Sequence, residues 1–517
     1  MALDTRTRQA LSKLGFGPTA ADLAEVGRIG LDAWLMRQLR PPADDGCGER
    51  IAAAHYRLKY KAMAPPDVDE DRPIAVISAP IQEHWAAVEK NLPMPERQFF
   101  RHAVALATLI RAAHSPWQLR ELLVDFWHNH FNVNAAGDAT VAVALPTYDR
   151  DVIRAHALGN FREMLEAVAT SAAMQVYLNN RSSRGGAANE NYARELFELH
   201  TLGRPAYLNA LYTRWREVPG ALMGRPQGYI DQDVYEAARA FTGWTIEDGA
   251  VLARRVRLAN TGRFTYVETW HDPYQKRILA TEIDPFQPPQ SDGRRVLDLV
   301  AEHMATARYV CGKLCRRLVS DNPSDKLVGD VARVWMDNRR APDQIARTVE
   351  AIARSDEFRR ALGTKVKRPL ELFASFVRAT GIPMVATTAL LGELDGSGQR
   401  LFGWGPPTGH PDEQGYWLSS NAMRRRWTLL LGLADNAWGA GLPQAAEAIA
   451  AQPTVAAAVT AANRTLLGTE PDARLVGAIT AGLGIDPKAP LKGRGDAPQV
   501  ARRLLSWCAL STPFQVR

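Results

Sequence analysis

Four short stretches of this chain gather the residue types that chemistry uses. The first, SPWQLRELLVDFWHNHFNVN at residues 115–134, places His128 and His130 two apart, with Asp125 three residues before the first histidine. On an intact helix Leu119, Leu122, Leu123, Phe126 and His130 share one face, and His128 lies almost opposite. The two imidazoles reach one divalent metal ion only if the helix stops near Trp127 and the chain extends, because alternation then brings them to the same side. Asp125 and His128 are a further ligand pair at helical spacing. The plainer expectation is a buried His130 whose nitrogens are satisfied within the protein.

The second stretch, NENYARELFELHTLG at residues 189–203, is dense in ionisable groups. Tyr192, Leu196, Leu199 and His200 fall on one helical face, Glu190, Arg194 and Glu198 on the other, and Glu195 on the border. A surface ladder of weak ion pairs explains Glu190, Arg194 and Glu198. It does not explain His200 on the apolar stripe or Glu195 beside it. Desolvation raises the pKa of a glutamate at such a border, which is how a general acid is made. In the third stretch, DQDVYEAARAFTGW at residues 231–244, Asp231 is expected as a helix N-cap, with Asp233, Glu236 and Arg239 following at three-residue steps. Acids in a first turn also simply complement the helix dipole. The fourth, Trp270-His271-Asp272, sets an imidazole beside a carboxylate at a strand end, and His410-Pro411-Asp412 offers a similar pair in a loop.

If these stretches converge on one cleft, two carboxylates in different environments divide acid and base work, as in hydrolysis of a glycoside or a related ester. Glu195 or Glu190 is then the acid and Asp233 the base, with Glu236 and His200 in the same catalytic group. Arg194 is an anion contact, Asn191, Arg239, Trp244, His271 and Asp272 complete the substrate contacts, and His128 and His130 orient groups or hold the metal. The rival expectation is a non-catalytic assembly or binding protein whose charged helices form an ion-pair network. An open cleft lined by these groups favours the enzyme, and groups consumed in a network favour the scaffold. Dinucleotide, P-loop, zincin and α/β-hydrolase signatures are absent from the sequence, as is the paired E-x-x-H of di-iron bundles.

The elements that must position these residues are mainly helices, because apolar residues recur at three-and-four spacing along most of the chain. Thr19 with Asp22 resembles a capping box, Ser115-Pro116 reads as a cap with proline in the first turn, and Gly15, Gly203 and Gly243 stand where a left-handed residue ends a helix. Three places interrupt the helices: the proline-bearing stretch around 64–95, the segment 203–228, and a β-like passage over 255–283. In that passage Phe264, Tyr266 and Glu268 alternate with Arg263, Thr265 and Val267 before the His271-Asp272-Pro273 turn, as a hairpin requires. The Ala-rich region 444–463 is expected to be helical and the Gly- and Pro-rich stretch 403–415 a loop. A chain of 517 residues forms either one elaborated unit or two lobes, here 1–245 and 284–517 joined by the β-like segment.

Composition narrows the classes further. Hydrophobic residues at 46% and charged residues at 23% describe an ordinary folded protein. Lys and Arg number 63 against 56 acids, and the densest basic runs, Lys365/Lys367/Arg368 and Arg424–Arg426, lack the interleaved aromatics of a nucleic-acid surface. They read as solvated faces, and no nucleic acid is expected as a partner. The four cysteines form no C-x-x-C pair, and Cys311 and Cys315 fit as small core side chains on a helix. No stretch approaches the apolar length of a membrane span, and no signal segment is visible, so a cytoplasmic location is the default expectation.

DFWHNHFNV, NENYARELFELHTLG, GYIDQDVYEAARAFTGW, HDPYQKRIL and KLCRRLVSDNP, in this order, resemble the bacterial family catalogued as domain of unknown function 1800. The start, ALSKLGFGPTAADLAEV, and the end, STPFQVR, resemble it too, so the likeness covers nearly the whole chain as a single unit. It implies a mainly helical protein, often exported and therefore periplasmic or beyond, often encoded beside a sulfatase-like or phosphatase-like companion. It assigns no activity. Two features depart from the family pattern. Residues 204–227 look like an insertion that reshapes the entrance to the site, and Pro273-Tyr274 replaces the glycine expected after His271-Asp272, which puts the role of that turn in doubt.

Overall fold

Apolar stripes at helical spacing become a layered helical core. The helix Met94–His114 runs through its centre, with Ala103, Val104, Ala105, Leu106 and Ala107 all fully covered. Its alanines let the helices Ala139–Thr147 and Pro369–Thr380 approach closely. Truncating a side chain such as Leu106 there costs about 2–5 kcal/mol, because the surroundings cannot fully collapse around the gap. This architecture comes from a computed structural model that describes residues 5–62, 66–253 and 256–517. Helix accounts for 58% of it, and each sheet among the described residues is a two-stranded antiparallel pair, so the fold is mainly α with small hairpins. One cluster of buried apolar side chains extends from Ala10 to Phe514 and draws on both 1–245 and 284–517. No helix among the described residues is long and apolar enough to cross a membrane.

Several expected helix ends are present and others move. Thr19 and Asp22 form a reciprocal capping box at the start of Ala20–Ile29. Ser115 instead ends Met94–His114, and the next helix begins at Gln118; the Ser115 hydroxyl accepts the Trp117 N–H inside the three-residue connection. Gly15 is not left-handed. The left-handed residue is Gly17, at φ +96°. Gly203 and Gly243 do take positive φ, and a Cβ on Gly203 would lie 2.4 Å from the Tyr309 ring, so the chain passes that ring only because the side chain is missing. Asp231 is the first helical residue rather than the cap. The cap is Ile230, whose N–H is taken by Asp233. Cys311 and Cys315 are fully buried core side chains, as their spacing suggests.

Among the described residues the β-like passage takes part in three antiparallel pairs rather than one hairpin, the shortest being Val251–Ala253 with Val256–Arg257. Asn260–Tyr266 pairs with Trp244–Asp248, and Lys276–Ile278 pairs with Thr281–Ile283. The alternation ends at Tyr266, because Glu268 already belongs to a tight turn, Glu268–Trp270. Residue 255, where the passage was expected to start, lies outside the described residues, as do residues 64 and 65 of the proline-bearing stretch. That stretch includes one strand of a hairpin the sequence did not announce, His55–Tyr60 with Val68–Pro73. The Ala-rich region is helical but broken at Pro453 into Ala445–Ala450 and Val455–Leu467. The first basic run turns inward, with Lys365, Lys367 and Arg368 buried, whereas the second is split: Arg426 is buried and Arg424 stays exposed. Lys365 bonds Asp321 and the Asp412 carbonyl, and Arg426 donates to the Lys367 carbonyl.

Candidate functional site

Local helix geometry decides where each charged side chain goes. Asn189 caps the helix Glu190–Glu195 by accepting the Asn191 N–H, and the chain then widens into a π-helical turn, Leu196–His200. Glu190 accepts from Arg194 one turn on. Arg194 reaches 3.4 Å to Asp231, which also accepts from the Tyr207 hydroxyl at 2.7 Å. Thus Glu190, Arg194 and Asp231 join two helices and the 204–227 segment in one chain of bonds. Asn191 donates to the Leu178 carbonyl. The expected second rung, Arg194 to Glu198, is replaced by this link to Asp231.

Asp233 is buried, and both of its oxygens accept backbone N–H groups: Ile230 at 2.9 Å and Leu279 at 2.7 Å. Burial raises its pKa to about 6. Leu279 and Ala280 form the two-residue loop of the Lys276–Ile283 hairpin with φ of 48° and 57°, the positive values that such a tight turn demands and that glycine or asparagine normally supplies. Asp233 therefore braces a strained turn, buried and with both oxygens engaged. Glu236 pairs with Arg239, whose fork grips both oxygens of Asp272 at 2.9 and 3.0 Å. His271 donates from Nδ1 to the Thr242 carbonyl and sets Nε2 3.2 Å from Asp292, which also holds the buried Lys276. Trp244 is fully buried against Phe241, Phe264 and Gly293, so it is core rather than a substrate contact. His200 is likewise sealed, edge-on to Phe131, and burial lowers its pKa to about 3.

The helix Gln118–His130 is unbroken through His130, so the extension that a two-histidine clamp needs does not form. His128 donates to Asp149 at 2.9 Å, on the π-helical turn Tyr148–Arg154. Burial alone would raise Asp149, but Arg154, His128 and Arg111 hold it far below the usual carboxylate range. His130 faces the other way and donates to the His200 carbonyl at 3.0 Å. Among the described residues no group of three His, Cys, Asp or Glu side chains is arranged to hold a metal ion. The four stretches thus meet one another in turn, His130 at the His200 carbonyl, Arg194 at Asp231 and Arg239 at Asp272, and most of their charges are spent on each other. Glu195 is the exception: it makes no hydrogen bond or ion pair, and burial, then the Glu198 charge, raise its pKa to about 6.

A different group of residues lines a cleft of about 330 Å³ between the helices Gln118–His130 and Met304–Leu318 and the 408–413 loop. The loop is pinned by the first motif. Asn129 accepts the His410 N–H and donates to the His410 carbonyl, and Asn132 donates to the carbonyls of Trp404 and Pro406. Gly409, at φ +73°, lies so close that a Cβ would sit 2.1 Å from the Asn129 carbonyl oxygen. Lys313, Arg316, Arg317 and Arg368 line the cleft against only Asp412 and Glu413. Behind them Arg317 Nη2 bonds Asp125 and Glu371, both at 2.9 Å, and Arg368 pairs with the same Asp125.

The donors of this cleft are not all used. Arg317 Nε and Nη1 and Arg368 Nε are buried and make no hydrogen bond, although Arg317 Nη1 lies 3.5 Å from Asp412. Lys313 makes none either; its Nζ stands 5.6 Å from the Tyr309 ring centroid. Burial lowers Lys313 to about 8 even though Asp412 pulls it up. His410, lowered to about 4 by burial and then by Arg368, stays neutral. The arrangement offers N–H donors and positive charge to one anionic group. Lys313, Arg316 and Arg317 stand at i, i+3 and i+4, and Arg317 falls on the stripe of Val310, Leu314 and Leu318, a charge directed inward that a fuller reading of KLCRRLVSDNP detects.

No curated protein and no solved structure matches this chain. The model of the family described as "Protein of unknown function (DUF1800)" matches residues 9–515, nearly the whole sequence, and the chain belongs to that family.

Proposed function

We propose that this protein binds a small oxyanion-bearing ligand in the cleft of Lys313, Arg317 and Arg368. The observation that carries the reading is Arg317, a fully buried guanidinium with two nitrogens left without a hydrogen bond, beside Lys313, which makes no hydrogen bond or ion pair. Buried donors of this kind are costly unless something accepts from them. The cations are recessed, which suits a phosphate, sulfate or carboxylate group and not a nucleic-acid backbone. A sulfatase-like or phosphatase-like companion, implied by resemblance to the bacterial family, handles the same anions, so a binding or assembly role beside it fits the cleft.

The test is thermal unfolding with inorganic phosphate or sulfate at constant ionic strength. Tm should rise with ligand concentration in the natural chain, and Lys313→Met should need about tenfold more ligand for the same rise. Equal rises in both chains, or none, would remove the reading.

A second reading, hydrolysis of the bound ester, is favoured by Glu195. A carboxyl group held near 6 without a partner suits a general acid at neutral pH, and Leu199, one turn further on, lines the cleft. Turnover of p-nitrophenyl phosphate or sulfate that falls about a hundredfold in kcat in Glu195→Gln would support it. Absence of turnover at any pH leaves binding alone.

A further inference from the structure

On another face lies a basin of about 1020 Å³, bounded by residues 224–227, the helix Ser291–Ala301, the start of Met304–Leu318 and the end of Asp325–Asp337. Its charge is unbalanced. Arg225, Arg295, Arg308, Arg339 and Arg340 line it against Asp298 and Glu302. Asp298 is taken by Arg162 at 2.6 Å, and Glu302 is shared by Arg339 and Arg340. Arg225, Arg295 and Arg308 make no hydrogen bond or ion pair and are exposed. Leu279, Leu299, Met304 and Met336 supply an apolar floor, and the two residues that lead into Gly224 at the lip, Leu222 and Met223, are 73% and 79% exposed.

The wall that carries this lip is a built part. Segment 204–227 folds into tight turns over its own small core of Val218, Ala221 and Ile230. His303 ties it down, donating from Nε2 to the Pro226 carbonyl at 2.8 Å while Nδ1 accepts the Ala305 N–H at 3.0 Å. Two apolar side chains are thus held out in solvent beside three unpaired arginines. Guanidinium forks match carboxylates, and methionines adapt to irregular apolar partners. No Phe, Tyr or Trp lines the basin, and its one aromatic ring, His303, is tied down through both nitrogens, so it offers a poor platform for stacking bases or sugars.

We propose that this basin docks an acidic, amphipathic segment of a second protein, its carboxylates on Arg225, Arg295 and Arg308 and its apolar residues on Leu222, Met223 and the methionine floor. The site is separate from the oxyanion cleft and does not depend on it.

The experiment is fluorescence anisotropy of the full chain with a labelled peptide of repeated Glu-Glu-Leu triads. The natural chain should bind it, and Arg295→Ala/Arg308→Ala should bind at least about tenfold more weakly, with circular dichroism unchanged because both side chains are exposed. Leu222→Ser/Met223→Ser should weaken it too, a Gln-Gln-Leu peptide should not bind, and Lys313→Met should bind as the natural chain does. Absence of binding, or equal binding by the arginine variant, overturns the proposal. So does displacement of the peptide by inorganic pyrophosphate at the concentration of its own phosphate-like charge, or preferential binding of single-stranded DNA, since each names another occupant.

Discussion

The charged helices at 190–200 and 231–240 and the cationic cleft at 313–317 and 408–413 contain the same kinds of residue, arranged to opposite effect. In the first region nearly every charge is answered: Glu190 by Arg194, Arg194 by Asp231, Glu236 and Asp272 by Arg239, Asp233 by two backbone N–H groups. In the second, Lys313 has no ion-pair partner, and Arg317 and Arg368, though paired with Asp125 and Glu371 behind the cleft, keep buried N–H groups unused. Density of ionisable residues is therefore a poor guide to a binding site. Unanswered charge is the better one, because a satisfied network has nothing left to offer a ligand.

The largest effect expected from breaking this contrast lies at the support of the cleft. Glu371 sits 2.9 Å from both Arg317 and Arg517, and all three are about 1% exposed. Glu371→Gln strands those guanidinium groups and should lower the unfolding free energy by about 3–5 kcal/mol in urea titrations. A loss below about 1 kcal/mol would mean that the cations are better solvated than their burial says. Next comes Asp233→Ala, which orphans the Ile230 and Leu279 N–H groups, at about 1–3 kcal/mol each. If unfolding is unchanged while an activity disappears, Asp233 belongs to a catalytic site and the contrast between the regions fails.

A smaller effect, about tenfold or 1.4 kcal/mol, is expected for phosphate affinity in Lys313→Met. The pH dependence sharpens it. Folded Lys313 gives up its proton near 8, while the unfolded chain keeps it to its ordinary 10.5. Phosphate affinity measured by calorimetry should thus fall as pH rises through about 8 and hold to higher pH in Lys313→Arg. Between those two values the unfolded chain binds more protons, so this residue's share of stability rises with pH there. A flat affinity profile across pH 8 would place the anion away from Lys313. The smallest effect is Glu190→Gln, whose half-exposed pair with Arg194 should change stability by less than about 1 kcal/mol in the same urea assay.

Much of this fold was legible because local rules wrote it. The capping box at Thr19, the mainly helical periodicity and the burial of Cys311 and Cys315 all depend on residues within a few positions of one another. The site was less legible. Reading His128 and His130 as opposite faces of one helix was sound, but nothing nearby announces that His128 meets Asp149 and His130 the His200 carbonyl. Asn129, between the two histidines, and Asn132, two residues after the second, turn out to pin a loop some 270 residues away in sequence. Lys365, Lys367 and Arg368 looked like surface because charge usually is, and only long-range partners such as Asp321 and Asp125 make their burial tolerable.

Family membership, helical class and most helix boundaries follow from the order of residues alone, since periodicity, capping and motif order are short-range or linear properties. Which charges are spent and which remain available is a matter of packing. The energy of a buried ion depends on every neighbour that replaces water around it, and for Arg317 those neighbours come from residues 125, 371 and 412, which only folding brings together.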